Sequence, residues 1–337
     1  MPRAFPGHLV DFAMGLLTNT VRMTFAPSDH FNGKRFFNPG EASERGLRDL
    51  IKWKMSGRPE PWPDHVEVVQ GRVPEAPRAD GITATWVGQS TFVLRSRSAT
   101  ILTDPIFSDR ASPLPWMGPR RAAAPGVAFA DVPRVDLVLL SHDHYDHCDL
   151  PTLRMLAVRD DPRVVAPLGH RRLLAGAGLS RAVELDWWES RVLAPDLEVT
   201  LVPARHWSRR TPFRTNSRLW GGFMVRTGGR LAYFAGDSGY DDRLFAEIGR
   251  RCGAPDLAML PIGAYEPRWF MSAAHMNPAE AVRVHRDVGA RRSVAMHWGT
   301  FPLTDEGREE PVRALGEACG GGTPGFSVLQ PGESLLA

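Results

Sequence analysis

Seven consecutive residues, Ser141-His142-Asp143-His144-Tyr145-Asp146-His147, hold three imidazoles and two flanking carboxylates. Neutral imidazole and carboxylate suit zinc and similar divalent ions. In an extended loop His142 and His144 point the same way and can share one ion. Asp146 and His147 turn toward a second ion beside it. Two ions at that spacing make a reactive hydroxide at neutral pH and clamp both oxygens of a displacement reaction. The chain holds only 11 histidines, and three of them fall within these residues, so the cluster predicts a hydrolase.

The rest of the chain must bring further ligands to this loop. Apolar strand candidates each run into a polar residue. Val135–Leu140 enters the histidine cluster, and Val199–Val202 leads to His206. Leu231–Ala235 leads to Asp237, Leu257–Leu260 to Pro261, and Ser293–Met296 to His297. Strand ends on one side of a sheet converge, which is where α/β proteins place their sites. This assigns His142, His144 and His206 to one ion and Asp146, His147 and His297 to the other, with Asp237 bridging them. Asp146 and Asp237 would also orient the nucleophile. Asp104, at the end of the strand Thr100–Thr103, is either a hydrogen-bond partner of a ligating histidine or an Asp-Pro turn residue. Asp143 faces away from the histidine pair, and Tyr145 either packs or touches substrate.

Earlier, Thr85–Val87 and Thr91–Leu94 read as a hairpin around Gly88-Gln89-Ser90. Asn277-Pro278-Ala279-Glu280 is a helix start, with Asn as cap, Pro at the first position and Glu at the third. Its helix runs to about Val288, and His285 on it is structural. Asp241–Arg251 forms another helix. Strands and helices alternate in two runs, 82–206 and 220–300, which predicts two sheets sandwiched between helices. Residues 1–80, rich in Pro, Gly, Arg and Trp from residue 26 and with a short helical stretch near Glu41–Lys54, read as an extension packed on a hydrolase domain of residues 81–337.

The 337 residues carry 43% hydrophobic and 23% charged side chains, ordinary for a globular chain with a core that needs no metal to fold. Net charge is +3, and no block is basic enough for nucleic acid. Cys148, Cys252 and Cys319 form no disulfide framework, which fits a reducing, cytoplasmic location. Residues 1–25 are moderately apolar but too short and too interrupted by Asp11 to span a membrane. They either pack on the domain or lie on a lipid surface, giving peripheral contact with the inner membrane. A homo-oligomer is compatible with these features.

The ordered set of His-x-His-x-Asp-His, a lone His, Gly-Asp and a final His resembles the metallo-β-lactamase superfamily. The phrases at 102–113, 184–189, 234–240, 261–271 and 296–301, together with His30–Pro39, resemble bacterial members of the N-acyl-phosphatidylethanolamine-hydrolysing phospholipase D family. The resemblance covers about residues 28–335. It implies a four-layer αββα sandwich, two zinc ions (iron or manganese fit the same donors) and a phospholipid substrate. The implied reaction is metal-hydroxide attack on phosphorus, releasing N-acylethanolamine and phosphatidic acid. It implies the same metal ligands and adds His275, beside the metals, as a residue acting on the phosphate or leaving group. Arg205 and Arg209 are candidates for anionic substrate contact, and Trp269 either packs or lines an acyl channel. Two departures, Ala274 in place of Gln and Gln89 in place of His, bear on headgroup contacts. The alternative is a hydrolase of the same fold acting on a soluble lactone or phosphodiester; β-lactam hydrolysis and nuclease activity are not expected.

Overall fold

The computed structural model describes residues 25–40, 46–211, 213–320 and 325–337. The apolar runs form strands β1 (Thr83–Gly88), β2 (Thr91–Arg95), β3 (Thr100–Thr103), β4 (Leu137–Leu139), β5 (Arg163–Pro167) and β6 (Ala182–Leu185). After a turn come β7 (Ser190–Ala194), β8 (Leu197–Val202), β9 (Gly222–Thr227), β10 (Arg230–Phe234), β11 (Leu257–Pro261), β12 (Arg292–Met296), β13 (Phe326–Ser327) and β14 (Ser334–Leu336). The helices are α1 (Leu47–Ser56), α2 (Leu150–Arg159), α3 (Arg171–Ala175), α4 (Asp242–Cys252), α5 (Arg268–Met271), α6 (Pro278–Asp287) and α7 (Glu310–Cys319).

Two seven-stranded sheets result, ordered β14-β1-β2-β3-β4-β5-β6 and β13-β12-β11-β10-β9-β8-β7. Each is half antiparallel hairpins and half parallel strands. β1, β2 and β3 pair antiparallel, while β3 to β6 are parallel. Likewise β7 to β10 pair antiparallel, while β10 to β13 are parallel. The parallel halves need crossovers; residues 104–136 supply the one from β3 to β4, and the α-helices supply the others.

Strand periodicity explains the layering. Phe92 and Leu94, Leu137 and Leu139, and Val165 face the second sheet and share its core with Leu201, Phe223 and Phe234. The alternate residues Val93, Leu102, Val138, Val164 and Ala166 face outward onto Leu153 and Leu156 of α2 and Leu174 of α3. On the far side of the second sheet, Phe245 and Ile248 of α4, Val282 and Val284 of α6 and Leu315 of α7 close the core. The result is the expected αββα sandwich. The cap of α6 is as read from sequence, with Asn277 and Glu280 bonding reciprocally.

One boundary differs from the expectation. The strand before His206 belongs to the second sheet, because β8 pairs along its length with β7 and β9 rather than with β6. The chain changes sheet at Asp186–Glu189, where Trp188 takes a φ of 70°. Local apolar patterning does not record a strand's distant partners, so it does not reveal which sheet a strand joins. The short stretch near Glu41–Lys54 is helical over Leu47–Ser56, with residues 41–45 outside the described part. Residues 1–24, and with them nearly all of the apolar N-terminal segment, also lie outside it. No helix among the described residues is long and apolar enough to cross a membrane.

The sheets meet closely at the strand ends. Gly236, at φ 60°, sits where an added Cβ would fall 2.8 Å from the Cβ of Ser141 in the opposite half. Gly236→Ala combines a left-handed backbone with a clash. It is expected to lower stability by about 1–3 kcal/mol, seen as a lower urea midpoint with an unchanged slope.

Candidate metal centre

All seven residues read as ligands come together where the two sheets meet. The first sheet contributes the loop after β4. The second contributes His206 beyond β8, Asp237 beyond β10 and His297 beyond β12. They fall into two adjoining groups, His142, His144 and His206 in one and Asp146, His147, Asp237 and His297 in the other. In the first group His144 Nδ1 lies 2.9 Å from His142 Nε2 and 3.2 Å from His206 Nε2. In the second, His297 Nε2 lies 3.1 Å from both His147 Nε2 and Asp146 Oδ2. Asp237 Oδ2 stands between them, 3.0 Å from His147, 3.1 Å from His297, 3.8 Å from His206 and 3.9 Å from His142.

Proton positions follow from what each outer ring nitrogen touches. His147 Nδ1 donates to Asp104 Oδ2 at 2.6 Å, and His206 Nδ1 donates to the Ala274 carbonyl at 2.9 Å. Ser141 gives its hydroxyl proton to Asp104, so His142 Nδ1 donates to Ser141 Oγ at 2.9 Å. In its neutral form each of these rings presents a bare Nε2 lone pair inward. Lone pairs facing one another at about 3 Å repel unless a cation lies among them. Ligand atoms of a tetrahedral zinc site with bonds of ~2.0–2.1 Å stand roughly 3.3–3.4 Å apart, so the donor set fits such an ion. His144 Nε2, His297 Nδ1 and Asp237 Oδ1 are buried with no hydrogen-bond partner among the described residues.

Electrostatics agree with that fit. Burial and the neighbouring imidazoles hold His142 well below the ordinary histidine range, and burial does the same for His206. His144 is also lowered by burial. In the second group burial opposes charge, but the carboxylates win. Asp237 and Asp146 raise His147 well above its usual value and His297 to about 9. Burial would push Asp146 and Asp237 up, yet His147 and His297 hold both well below the usual carboxylate range. Two buried anions here demand positive charge. A divalent cation would take the place of imidazole protons in supplying it.

The supporting shell was only partly visible in the sequence. Asp104 is fully buried and bonds the Ser141 amide at 2.7 Å as well as His147, so it is a partner of the ligand loop and not merely a turn residue. Gln89, noted above only for headgroup contacts, instead donates from Nε2 to Asp146 Oδ2 at 2.9 Å, and its carbonyl accepts from the His297 amide at 2.9 Å. Its signal, a polar residue at a hairpin tip, gave no hint of that reach. Gln89, Asp104 and His297 all have positive φ (51°, 29° and 60°), a cluster of strained backbone at one site. Asp143 faces away as expected, buried and paired with Arg218 at 2.7 Å. Burial pushes the Cys148 thiol up to about 11, which leaves it inert beside the loop.

The residues read as substrate contacts divide. His275 is in the centre, its ring edge-on to His206 at 5.0 Å and its Nδ1 3.9 Å from Asp237 Oδ2 without a hydrogen-bond partner. Burial lowers it to about 4, so it is neutral at physiological pH. Arg268 bonds the His275 carbonyl at 2.9 Å and Glu280 at 2.8 Å, fixing the corner between α5 and α6. The structure does not bring the other three into the cluster. The Arg205 guanidinium donates to the Pro39 carbonyl and pairs with Asp241. The Tyr145 hydroxyl donates to the Arg210 carbonyl. Trp269 lines a cleft of about 450 Å³ together with Glu60, Glu266, Asp305, Glu306, Arg58 and Arg313, a charged space rather than an apolar channel.

Asp104→Asn keeps the side-chain shape and an oxygen for the Ser141 amide, but puts an NH2 donor in place of Oδ2, the acceptor of both the Ser141 hydroxyl and His147 Nδ1. Metal affinity in a chelator competition is expected to fall about 10- to 100-fold, with the folded far-ultraviolet spectrum retained.

Residues 99–298 match the model of the beta-lactamase superfamily domain. The chain is 35% identical over 308 residues to N-acyl-phosphatidylethanolamine-hydrolyzing phospholipase D 1 of Caenorhabditis elegans, covering 85% of this chain and 86% of that one. It is 36% identical over 236 residues to the mitochondrial N-acyl-phosphatidylethanolamine-hydrolyzing phospholipase D of Saccharomyces cerevisiae, covering 68% of this chain and 50% of that one. Among solved structures, the metallo hydrolase Igni18 of Ignicoccus hospitalis superposes with a TM-score of 0.58 at 22% identity, over 76% of this chain and 98% of that one, a likeness of fold. The chain thus belongs to the N-acyl-phosphatidylethanolamine-hydrolysing phospholipase D family, within the metallo-β-lactamase superfamily, and is a metal-dependent hydrolase.

Proposed function

We propose that this hydrolase is a binuclear zinc phosphodiesterase that cleaves N-acyl-phosphatidylethanolamine to N-acylethanolamine and phosphatidic acid. The observation that carries the reading is the sharing of Asp237 Oδ2 between two adjoining donor groups, one of three imidazoles and one of two imidazoles and a carboxylate. The likeness to the Caenorhabditis elegans phospholipase D supports the substrate class. His142, His144 and His206 would hold one ion and Asp146, His147 and His297 the other. These nitrogen and oxygen donors suit zinc, and iron or manganese fit them too. Such ions, when bound, supply Lewis acidity toward a phosphoryl oxygen and bring the pKa of water close to neutrality.

The chain's own residues set the geometry. Asp104 holds the His147 ring and, through Ser141, the His142 ring. Gln89 restrains Asp146. Asp237 and Asp146, kept ionised, orient a water by accepting its hydrogen bonds. Neutral His275 places its imidazole beside Asp237, where it offers a hydrogen bond to a phosphoryl or leaving-group oxygen. In the reaction a water oxygen bonds to phosphorus and gives up a proton, the bond from phosphorus to the ethanolamine oxygen breaks, and that oxygen takes up a proton and leaves as the alcohol.

A second reading keeps the metal chemistry but places it on a soluble lactone or phosphodiester. The charged cleft beside Trp269, lined by Arg58 and Arg313 as well as by Glu60, Glu266, Asp305 and Glu306, offers no apolar wall for an acyl chain, which favours a substrate without one.

Metal content and hydrolysis of N-acyl-phosphatidylethanolamine vesicles test both readings against Asp237→Asn. Two metals per chain and N-acylethanolamine release, at least 100-fold lower in the variant, are expected for the lipid reading, about 3 kcal/mol in the barrier. Two metals without lipid turnover would move the assignment to the soluble substrate, and fewer than two in reconstituted protein would overturn the binuclear centre. Deleting residues 1–25 is expected to weaken vesicle sedimentation if that segment lies on lipid; unchanged sedimentation and turnover would remove it from the proposal.

A further inference from the structure

The phrase His30–Pro39 takes no part in the chemistry above, yet the structure folds it against the metal centre. Residues 28–37 make a compact double turn. Phe31 pairs with Ser28 on one side and Phe36 on the other, and the Asn32 side chain caps the turn through the Lys34 and Arg35 amides. Gly33 supplies the φ of 86° that this turn needs. The turn is anchored firmly. Phe31 and Phe36 are buried in the main core. His30 stacks on Trp187 at 4.4 Å and bonds Asp186 across the chain at 2.7 Å.

From this anchor three groups reach the segment that carries His206. The Asn38 side chain donates from Nδ2 to the His206 carbonyl at 2.9 Å. The Pro39 carbonyl accepts from Arg205 at 2.8 Å. The Phe36 amide donates to the Asn216 carbonyl at 2.9 Å, and the Asn216 side chain in turn accepts from the Ser208 amide at 3.1 Å. His206 lies four residues beyond the end of β8; its neighbour Arg205 is bridged to Gly239 at 2.8 Å, and the His206 carbonyl itself accepts from Asn38. The sense of the Asn38 amide is fixed by chemistry. The His206 carbonyl can only accept, so Asn38 Nδ2 must face it; the Trp220 indole, which donates chiefly to the Ala204 carbonyl at 2.9 Å, lies 3.3 Å from Asn38 Oδ1 and agrees with that sense. The amide therefore bridges a buried tryptophan to a ligand backbone in one orientation.

We propose that residues 28–39 form a clamp belonging to the metal centre, and that Asn38 is a positioning residue that sets His206 toward its ion. The His206 ring is then held at two points, the Ala274 carbonyl on Nδ1 and the Asn38 amide on the backbone. The bonds of residues 28–39 to Arg205, His206 and Asn216 place this clamp on the three-histidine group. This rests on the binuclear reading above.

The test uses the full chain and zinc. Asn38→Asp is isosteric but sets an oxygen against the His206 carbonyl; Asn38→Ala only removes the donor. Chelator competition gives two dissociation constants, and His206→Ala identifies which belongs to the three-histidine group. Asn38→Asp is expected to weaken that zinc about 10- to 100-fold and leave the other unchanged, with Asn38→Ala at the low end. Thermal unfolding of the metal-free proteins is read alongside and should not move for Asn38→Ala. Wild-type affinity at both sites in both variants would overturn the proposal. So would equal weakening of both zincs together with a lower metal-free melting temperature, which marks a purely structural contact. Should Asn38→Asp not fold, Asn38→Ala and Trp220→Phe, which removes the indole donor, decide by the same criterion. Wild-type protein that binds fewer than two zincs would overturn the binuclear reading instead.

Discussion

Asp237 holds one carboxylate oxygen within 3.0 to 3.9 Å of five imidazole nitrogens, those of His142, His147, His206, His275 and His297. Burial makes an ionised carboxylate costly, and the neutral rings of His142, His147 and His206 turn bare Nε2 lone pairs toward the same space. Neither condition is stable by itself. Positive charge at the centre satisfies both, and the rest of the fold is arranged to hold these groups where that charge must sit. The two sheets present their strand ends to one another so that a loop of the first and three strand ends of the second converge.

That convergence is bought with local strain. Gln89, Asp104 and His297 adopt left-handed backbone, and Gly236 lets the sheets approach more closely than any side chain would allow. Strain of about 1–3 kcal/mol at each non-glycine residue persists only where the surroundings over-determine it. Here they do. Gln89 is tied to Thr300, Trp86, His297 and Asp146, and Asp104 to Ser141, Thr91 and His147. The antiparallel hairpin tip and the first parallel strand thus brace the ligand loop from opposite sides. The same logic extends to the segment ahead of the first strand, whose Asn38 reaches the His206 backbone.

The division of labour among charged groups follows burial. Arginines far from the centre make exposed pairs such as Arg250 with Glu247, which contribute little. Arg218 and Arg268 lie nearer. Arg218 neutralises buried Asp143 within the ligand loop, and Arg268 locks the turn that delivers His275. Arg205, the most tempting anion contact by position in the chain, is instead committed to Pro39 and Asp241. Adjacency in sequence to a ligand places a backbone near the site but leaves the side chain free to point away.

The sequence by itself determined the ligand types and their order. The His-x-His-x-Asp-His run, and the ends of the strands before Asp237 and His297, were legible because polar residues that close apolar runs on parallel strands must collect at one edge. Most strands and the capped helix α6 were legible for the same local reason, since periodicity and cap chemistry act within a few residues. Tertiary structure alone decided which sheet β8 joins, since hydrogen-bond pairing between distant strands leaves no trace in local pattern. It alone assigned Gln89 to Asp146 and Asn38 to His206, contacts spanning 57 and 168 residues. Amides carry no charge or spacing signal that announces a partner, so their roles emerge only when packing fixes the direction in which each one donates.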